Sequence, residues 1–171
     1  MTRHLPMITT LVDGYNLMLG NVVSPDSRVK RNLHDSRHYF LRWLESKLPV
    51  DQRTGVCVVF DTSRSSPQDQ VSTFHGIGII YSTSHVSADE CIQRLIRDHT
   101  SPQKLTVVSS DHQIQRCAKA RGATAVDSEI WIETLNIQKR RSYREDASEE
   151  VNMEKPDGQI DTQKWLDEFG Y

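Results

Sequence analysis

Apolar and polar positions alternate along this chain in blocks that change period several times. Residues 7–12 form a short apolar run that ends at Asp13-Gly14. A run of that length bounded by glycine predicts a buried strand, and it places Asp13 where the chain leaves the core. Asp26 or Ser27 then caps a predicted long helix to about Leu48, ended by Pro49. Its apolar stripe is Val29, Leu33, Phe40, Leu41, Leu44 and Leu48, close to helical spacing. Residues 56–60 are continuously apolar and β-rich, which predicts a strand buried on both faces, and they end in Asp61. Residues 62–70 are polar and predict an exposed loop. Residues 76–81 predict a third strand, whose two glycines suit an edge or a close backbone approach.

The second half repeats strand and helix in turn. Ser87 with Glu90 three positions later is a capping box, opening a helix to about His99 that buries Cys91, Ile92, Leu95 and Ile96. Residues 105–108 predict a fourth strand. Ser109 and Ser110 are expected to cap a helix over 111–121 with Ile114, Cys117 and Ala118 inward, stopped by Gly122; the alternative is that they add a hydroxyl to a site at the strand end. A short strand over 123–126 leads to a helix capped by Asp127 and Ser128, with Ile130, Trp131, Leu135 and Ile137 inward. The order β-α-β-β-α-β-α-β-α predicts an α/β domain over 1–137 with a mostly parallel sheet flanked by helices. Residues 138–160 are charged and poor in apolar side chains, which predicts a flexible linker. Trp165, Leu166, Phe169 and Tyr171 predict a short amphipathic helix over 161–171, too short to stand without a docking surface.

Composition refines this picture little. The chain has 171 residues, 36% hydrophobic and 26% charged, with a net charge of −2. Residues 1–137 hold 15 basic and 14 acidic side chains and all seven His; residues 138–171 hold 6 and 9. If several acids of the domain share one site, the rest of its surface is mildly basic, which suits a polyanion. Cys57, Cys91 and Cys117 have neither C-x-x-C nor zinc spacing and read as buried thiols of a reducing cytosol. His34 and His38, four apart, read as a surface pair. No run approaches the ~20 apolar residues of a membrane span, and no signal peptide is expected. No G-x-G-x-x-G follows the first strand, which disfavours a dinucleotide-binding oxidoreductase.

The candidate chemistry lies in four acids. Asp13 and Asp61 directly follow apolar strands, Asp111 follows the fourth strand after two serines, and Asp89 stands in the first turn of a helix. Singly, each has a turn or capping reading. In a parallel sheet, however, all strand C-termini share one edge, so the four converge. Two carboxylates about 5 Å apart repel by roughly 3 kcal/mol at an effective dielectric near 20. The cluster therefore calls for a cation or for protonation. Oxygen donors without Cys or His favour Mg²⁺ or Mn²⁺, and such a site supports phosphodiester hydrolysis.

Leu11-Val12-Asp13-Gly14-Tyr15-Asn16, Val58-Val59-Phe60-Asp61, Ser87-Ala88-Asp89 and residues 107–111 together resemble the NYN domain. The closer resemblance is to its YacP-like branch, bacterial members of the PIN-like nuclease superfamily, over about residues 7–137. The resemblance implies a PIN-like three-layer fold and a Mg²⁺-dependent endoribonuclease. It implies that Asp13, Asp61, Asp89 and Asp111 are the catalytic and metal-binding acids, that Asn16 belongs to the first motif, and that Arg37 is a basic position of the first long helix. The loop after Asp61 departs from the pattern, being smaller and less charged. On this reading Asn16 orients an acid, and Arg37, Arg64 and Arg94 bind RNA phosphates, contacts that position without reading sequence. The alternative is a non-catalytic RNA-binding or ribosome-associated module of the same fold. A DNA nuclease is disfavoured by the lack of a long basic insertion.

Overall fold

The structure, a computed structural model, describes residues 7–19, 33–61, 70–83 and 86–153. The chain divides into two units, Met1–Asn136 and Ile137–Tyr171. The first is an α/β domain. In chain order its elements are β1 (Thr10–Asp13), α1 (Gly14–Leu19), α2 (Leu33–Lys47), α3 (Val50–Arg53), β2 (Val56–Phe60), β3 (Gln70–Phe74), β4 (Ile77–Tyr81), α4 (Ala88–Asp98), β5 (Thr106–Val108), α5 (His112–Ala120) and β6 (Thr124–Val126). Helix α6 (Ser128–Met153) begins in this unit and continues into the second.

The six strands lie in the order β3-β4-β2-β1-β5-β6. All pairings are parallel except β3 with β4. Because side chains alternate across a strand, the sheet feeds two cores. Val12, Val56, Val58 and Phe60 point to one face and pack with Leu17 of α1, with Phe40, Leu41 and Leu44 of α2, and with Ile132 and Leu135 of α6. Leu11, Cys57 and Val59 point to the other and pack with Cys91, Ile92 and Ile96 of α4 and Ile114 and Ala118 of α5. The result is three layers, helix-sheet-helix, around a mostly parallel sheet. This matches the expected class, and the unbroken apolar run of β2 is buried throughout, as a central parallel strand requires.

Several local expectations are corrected. Residues 70–74, the first expected to close a loop and the others assigned to no element, form β3. Val71 and Phe74 are its only apolar residues, and both are half-buried, so the strand carries a weak apolar signal. It is held by a tight hairpin in which His75 and Gly76 both have positive φ, 47° and 93°, the conformation of a type I′ turn. Strand β4 is therefore internal, not an edge.

Leu33 is exposed, two turns ahead of the first α2 residue that reaches the core, while Val29 and the expected cap at Asp26 or Ser27 lie outside the described residues. Pro49 does end α2, but it also precedes the single turn α3. In α6 the buried positions are Ser128, Ile132 and Leu135, with Trp131 half-buried. Ile130 and Ile137 face outward, about half a turn from that stripe. The stretch expected as a flexible linker continues α6 as far as Met153. Its remainder and the amphipathic segment over 161–171 lie outside the described residues. No helix among the described residues is long and apolar enough to cross a membrane.

Candidate active site at the carboxyl edge of the sheet

Parallel pairing of β2, β1 and β5 places their C-termini on one edge. Asp13 is the last residue of β1 and Asp61 follows β2. Asp89 lies in the first turn of α4, behind a complete Ser87–Glu90 capping box. Asp111 precedes α5 as its N-cap, accepting from the amides of Gln113 at 2.6 Å and Ile114 at 3.0 Å. The capping expected of Ser109 and Ser110 thus belongs to Asp111, and the serines are released for other contacts.

Asp13 is only 5% exposed, so its carboxylate requires partners. One oxygen accepts from the backbone N–H of Asn16 at 3.1 Å, the other from the Ser109 hydroxyl at 3.0 Å. Ser109 Oγ in turn accepts from the amide of Asp111 at 3.0 Å. One buried hydroxyl therefore links two of the four acids. Asp61 receives the hydroxyl of buried Ser82 at 2.9 Å. The two contacts share one plan: the first residue after an outer strand, β4 or β5, donates a hydroxyl to the acid at the end of its inner neighbour, β2 or β1. Ser82 is not evident from the chain, and a site hydroxyl from Ser109 ranks behind capping, since serine after a strand is also ordinary turn chemistry.

Asn16 departs from expectation. Its backbone, not its carboxamide, reaches Asp13. The side-chain oxygen accepts from the amide of Ser110 at 3.0 Å and from the Ser128 hydroxyl at 2.8 Å. Asn16 thereby ties α1 to the ends of β5 and β6. Gly14 is required for contact rather than for a turn: it opens α1, and an added Cβ would lie 2.5 Å from the Phe60 ring and 2.8 Å from the Val59 carbonyl oxygen.

The acids act on one another electrically. Burial raises the Asp13 pKa above the ordinary carboxylate value; the bonds from Asn16 and Ser109 oppose this, and the charges of Asp89 and Asp111 add to it. The Asp89 pKa is also raised, first by partial removal from water, although the residue is exposed overall, and then by the charges of Asp111, Asp61 and Glu90. An acid raised in the folded state binds protons more tightly there than in the unfolded chain. It lowers stability at pH above its folded pKa, and this cost fades as pH falls through that value. In EDTA, Asp89→Asn is thus expected to melt above wild type near pH 7.5, by under about 1 kcal/mol because solvent screens an exposed carboxylate. The difference should vanish at about pH 3.5, near the ordinary carboxylate pKa. Paired melts across this range check it, and a pH-independent difference would make Asp89 a structural residue only.

Among the described residues, no three His, Cys, Asp or Glu side chains close into a ready-made metal cage. The donor chemistry nonetheless fits a hydrated Mg²⁺ or Mn²⁺. Such an ion keeps several waters and is commonly held by one or two carboxylates together with substrate phosphate. Asp13 and Asp89 are raised first by burial and then by neighbouring acids, and the second cause marks the same place as short of positive charge.

The three arginines separate. Arg37 reaches the acid edge, donating to the Tyr15 hydroxyl and to the Asp61 carbonyl. Arg94, on α4, donates to the Cys91 sulfur at 3.5 Å. Arg64 lies outside the described residues.

The family model for the YacP-like NYN domain matches residues 10–168. The chain belongs to the YacP-like NYN domain family. Two solved structures are similar to this NYN chain. The crystal structure of a mutant of Rae1 (YacP) from Bacillus subtilis, with one tryptophan replaced by leucine, is 26% identical, with a TM-score of 0.54, covering 82% of this chain and 84% of that one. The crystal structure of Rae1 (YacP) from Bacillus subtilis without that substitution is 22% identical, with the same TM-score of 0.54, covering 94% and 91%; at that identity it bears on the fold alone. No curated protein matches the sequence. The NYN domain has a PIN-like, nuclease-type fold, and the four acids of this member stand at the edge where open α/β sheets bind ligands.

Proposed function

We propose that this NYN protein is a divalent-metal-dependent endoribonuclease, with RNA as its partner, acting in the cytoplasm. One observation supports the reading: acids on four separate elements lie toward one sheet edge, near enough for their charges to act on one another, and two of them have raised pKa values, first through burial and then through the other acids. Like charges gathered at one edge repel one another, which favours a cation and a charged substrate there. Asp13, Asp61, Asp89 and Asp111 would hold Mg²⁺ or Mn²⁺. When bound, such an ion supplies the positive charge that offsets the carboxylates and the phosphate.

The chain's own residues do the rest. Ser109 and the Asn16 amide fix both oxygens of Asp13, so its carboxylate meets the substrate in one orientation. In hydrolysis, the oxygen of a water bonds to phosphorus, one P–O ester bond breaks, and the leaving oxygen gains a proton. A cluster carboxylate takes the proton that the water loses. A raised pKa suits Asp13 or Asp89 to that role, because a base acts best with a pKa closer to working pH.

The test is incubation of the purified chain with single-stranded RNA in Mg²⁺ and in EDTA. Internal cleavage in Mg²⁺ that stops in EDTA and returns on adding Mn²⁺ supports the reading. RNA binding without cleavage in either buffer would make the chain a binding module.

A further inference from the structure

Three of the four acids are placed by a helix: Asp13 leads directly into α1, Asp89 is part of α4, and Asp111 caps α5. Asp61 stands past the end of β2, and no helix begins at it among the described residues. It is nevertheless held on both its backbone and its side chain. The β4–β2 ladder continues one step further, with the Ser82 N–H donating to the Phe60 carbonyl at 2.9 Å. This brings the buried Ser82 hydroxyl to Asp61 Oδ1 at 2.9 Å. On the other side, the Asp61 carbonyl accepts from Arg37 Nη2 at 2.5 Å and from the Tyr15 hydroxyl at 3.4 Å. Arg37 Nη2 also donates to the Tyr15 hydroxyl, closing a triangle.

The surroundings of Arg37 explain its choice of partners. Its guanidinium carbon lies 5.4 Å from the centre of the Tyr15 ring, 5.5 Å from Phe60 and 5.3 Å from Tyr81. Three rings around one cation form a cation–π box. Arg37 Nε is enclosed and has no hydrogen-bond partner among the described residues. A side chain serving RNA phosphates only through its charge has no need of this enclosure. An arm that must span from α2 to the end of β2 and donate there to both a hydroxyl and a carbonyl needs the longer, forked guanidinium.

We propose that Arg37, Tyr15 and Ser82 form a clamp that holds Asp61 in the acid cluster, with Arg37 a positioning residue rather than a ligand of RNA phosphates. The inference rests on the nuclease reading for its catalytic consequence. Lysine at position 37 ends one bond short of Nη2 and lacks the planar fork. Ser82→Ala removes one hydroxyl and leaves the strand intact.

The test uses the full chain carrying Arg37→Lys, Arg37→Ala or Ser82→Ala, each first shown folded by circular dichroism. With a single-stranded RNA oligonucleotide in Mg²⁺, Arg37→Lys and Ser82→Ala are each expected to lower kcat by about ten- to a hundredfold, the scale of a misplaced catalytic group. On the same reasoning KM should stay within about threefold, because ground-state binding is untouched. Binding of the same RNA is measured in an Asp13→Asn background, where cleavage does not interfere. There Arg37→Ala should leave the slope of log Kd against log salt unchanged. The clamp is overturned if Arg37→Lys keeps wild-type kcat, or if Arg37→Ala lowers the slope by about one, the mark of a lost phosphate contact. Should Arg37→Ala fail to fold, the kcat values of Arg37→Lys and Ser82→Ala decide. If wild type cleaves no RNA, the nuclease reading fails by itself. Amide exchange of residues 59–61 then judges the clamp: faster exchange in both Arg37→Lys and Ser82→Ala supports it, and unchanged exchange rejects it.

Discussion

Asp13→Asn is expected to lower RNA cleavage in Mg²⁺ by about a thousandfold or more, the joint scale of losing a proton acceptor and a charge at the reacting phosphate. The substitution keeps the shape of the side chain. Its oxygen still accepts from the Asn16 amide, and its new NH₂ faces the Ser109 hydroxyl, so the local bonds are reorganised rather than lost. The fold should survive. At pH 7.5 without metal the variant should be at least as stable as wild type, because a buried carboxylate with a raised pKa has been removed. Far-UV circular dichroism, thermal melts and cleavage rates on one preparation check all three statements. A variant that cleaves within about tenfold of wild type would remove Asp13 from the chemistry. A variant that is inactive because it has unfolded would leave Asp13 a structural residue.

Phe60→Ala is the substitution expected to cost most stability. Phe60 is fully buried at the end of β2. Its ring stacks with Tyr81 at 5.9 Å and meets Tyr15 and Phe40 edge to face at 5.8 and 6.1 Å. It also forms one wall around Arg37 and fills the space that Gly14 leaves open. Truncation loses the transfer free energy of the ring and leaves a cavity among Tyr15 of α1, Phe40 of α2 and Tyr81 of β4. A loss of about 3–5 kcal/mol is expected, a large share of the roughly 5–15 kcal/mol of a typical domain. Urea unfolding followed by tryptophan fluorescence measures it. A loss under about 1 kcal/mol would show that the aromatic group around Phe60 is loosely packed and does not brace the site.

Much of this arrangement is legible in the chain. The unbroken apolar run 56–60 is buried on both faces as expected, and the Ser87–Glu90 box opens its helix as expected. Asp13 and Asp61 are located by the strands they follow. The family motifs agree with the domain match over residues 10–168. Where local patterns mislead, a contact distant in sequence overrides local chemistry. Ser109 after a strand and before a helix is by local rules a cap; its hydroxyl instead bonds Asp13, 96 positions away. Asn16 stands three residues after an acid, which suggests that it serves that acid; its side chain instead joins Ser110 and Ser128. Strand β3 carries little apolar signal and is formed by its hairpin with β4.

The sequence alone determined the α/β class, the burial of β2 and the strand-end placement of the acids, because hydrophobic period and strand-end position are local properties of the chain. Only the tertiary structure decided which hydroxyl serves which acid, why residue 14 must be glycine, and where Arg37 directs its guanidinium. Those depend on strand order. The sheet sets β4 beside β2 and β5 beside β1, so Ser82 meets Asp61 and Ser109 meets Asp13, and neither pairing has any counterpart in the linear spacing of the residues.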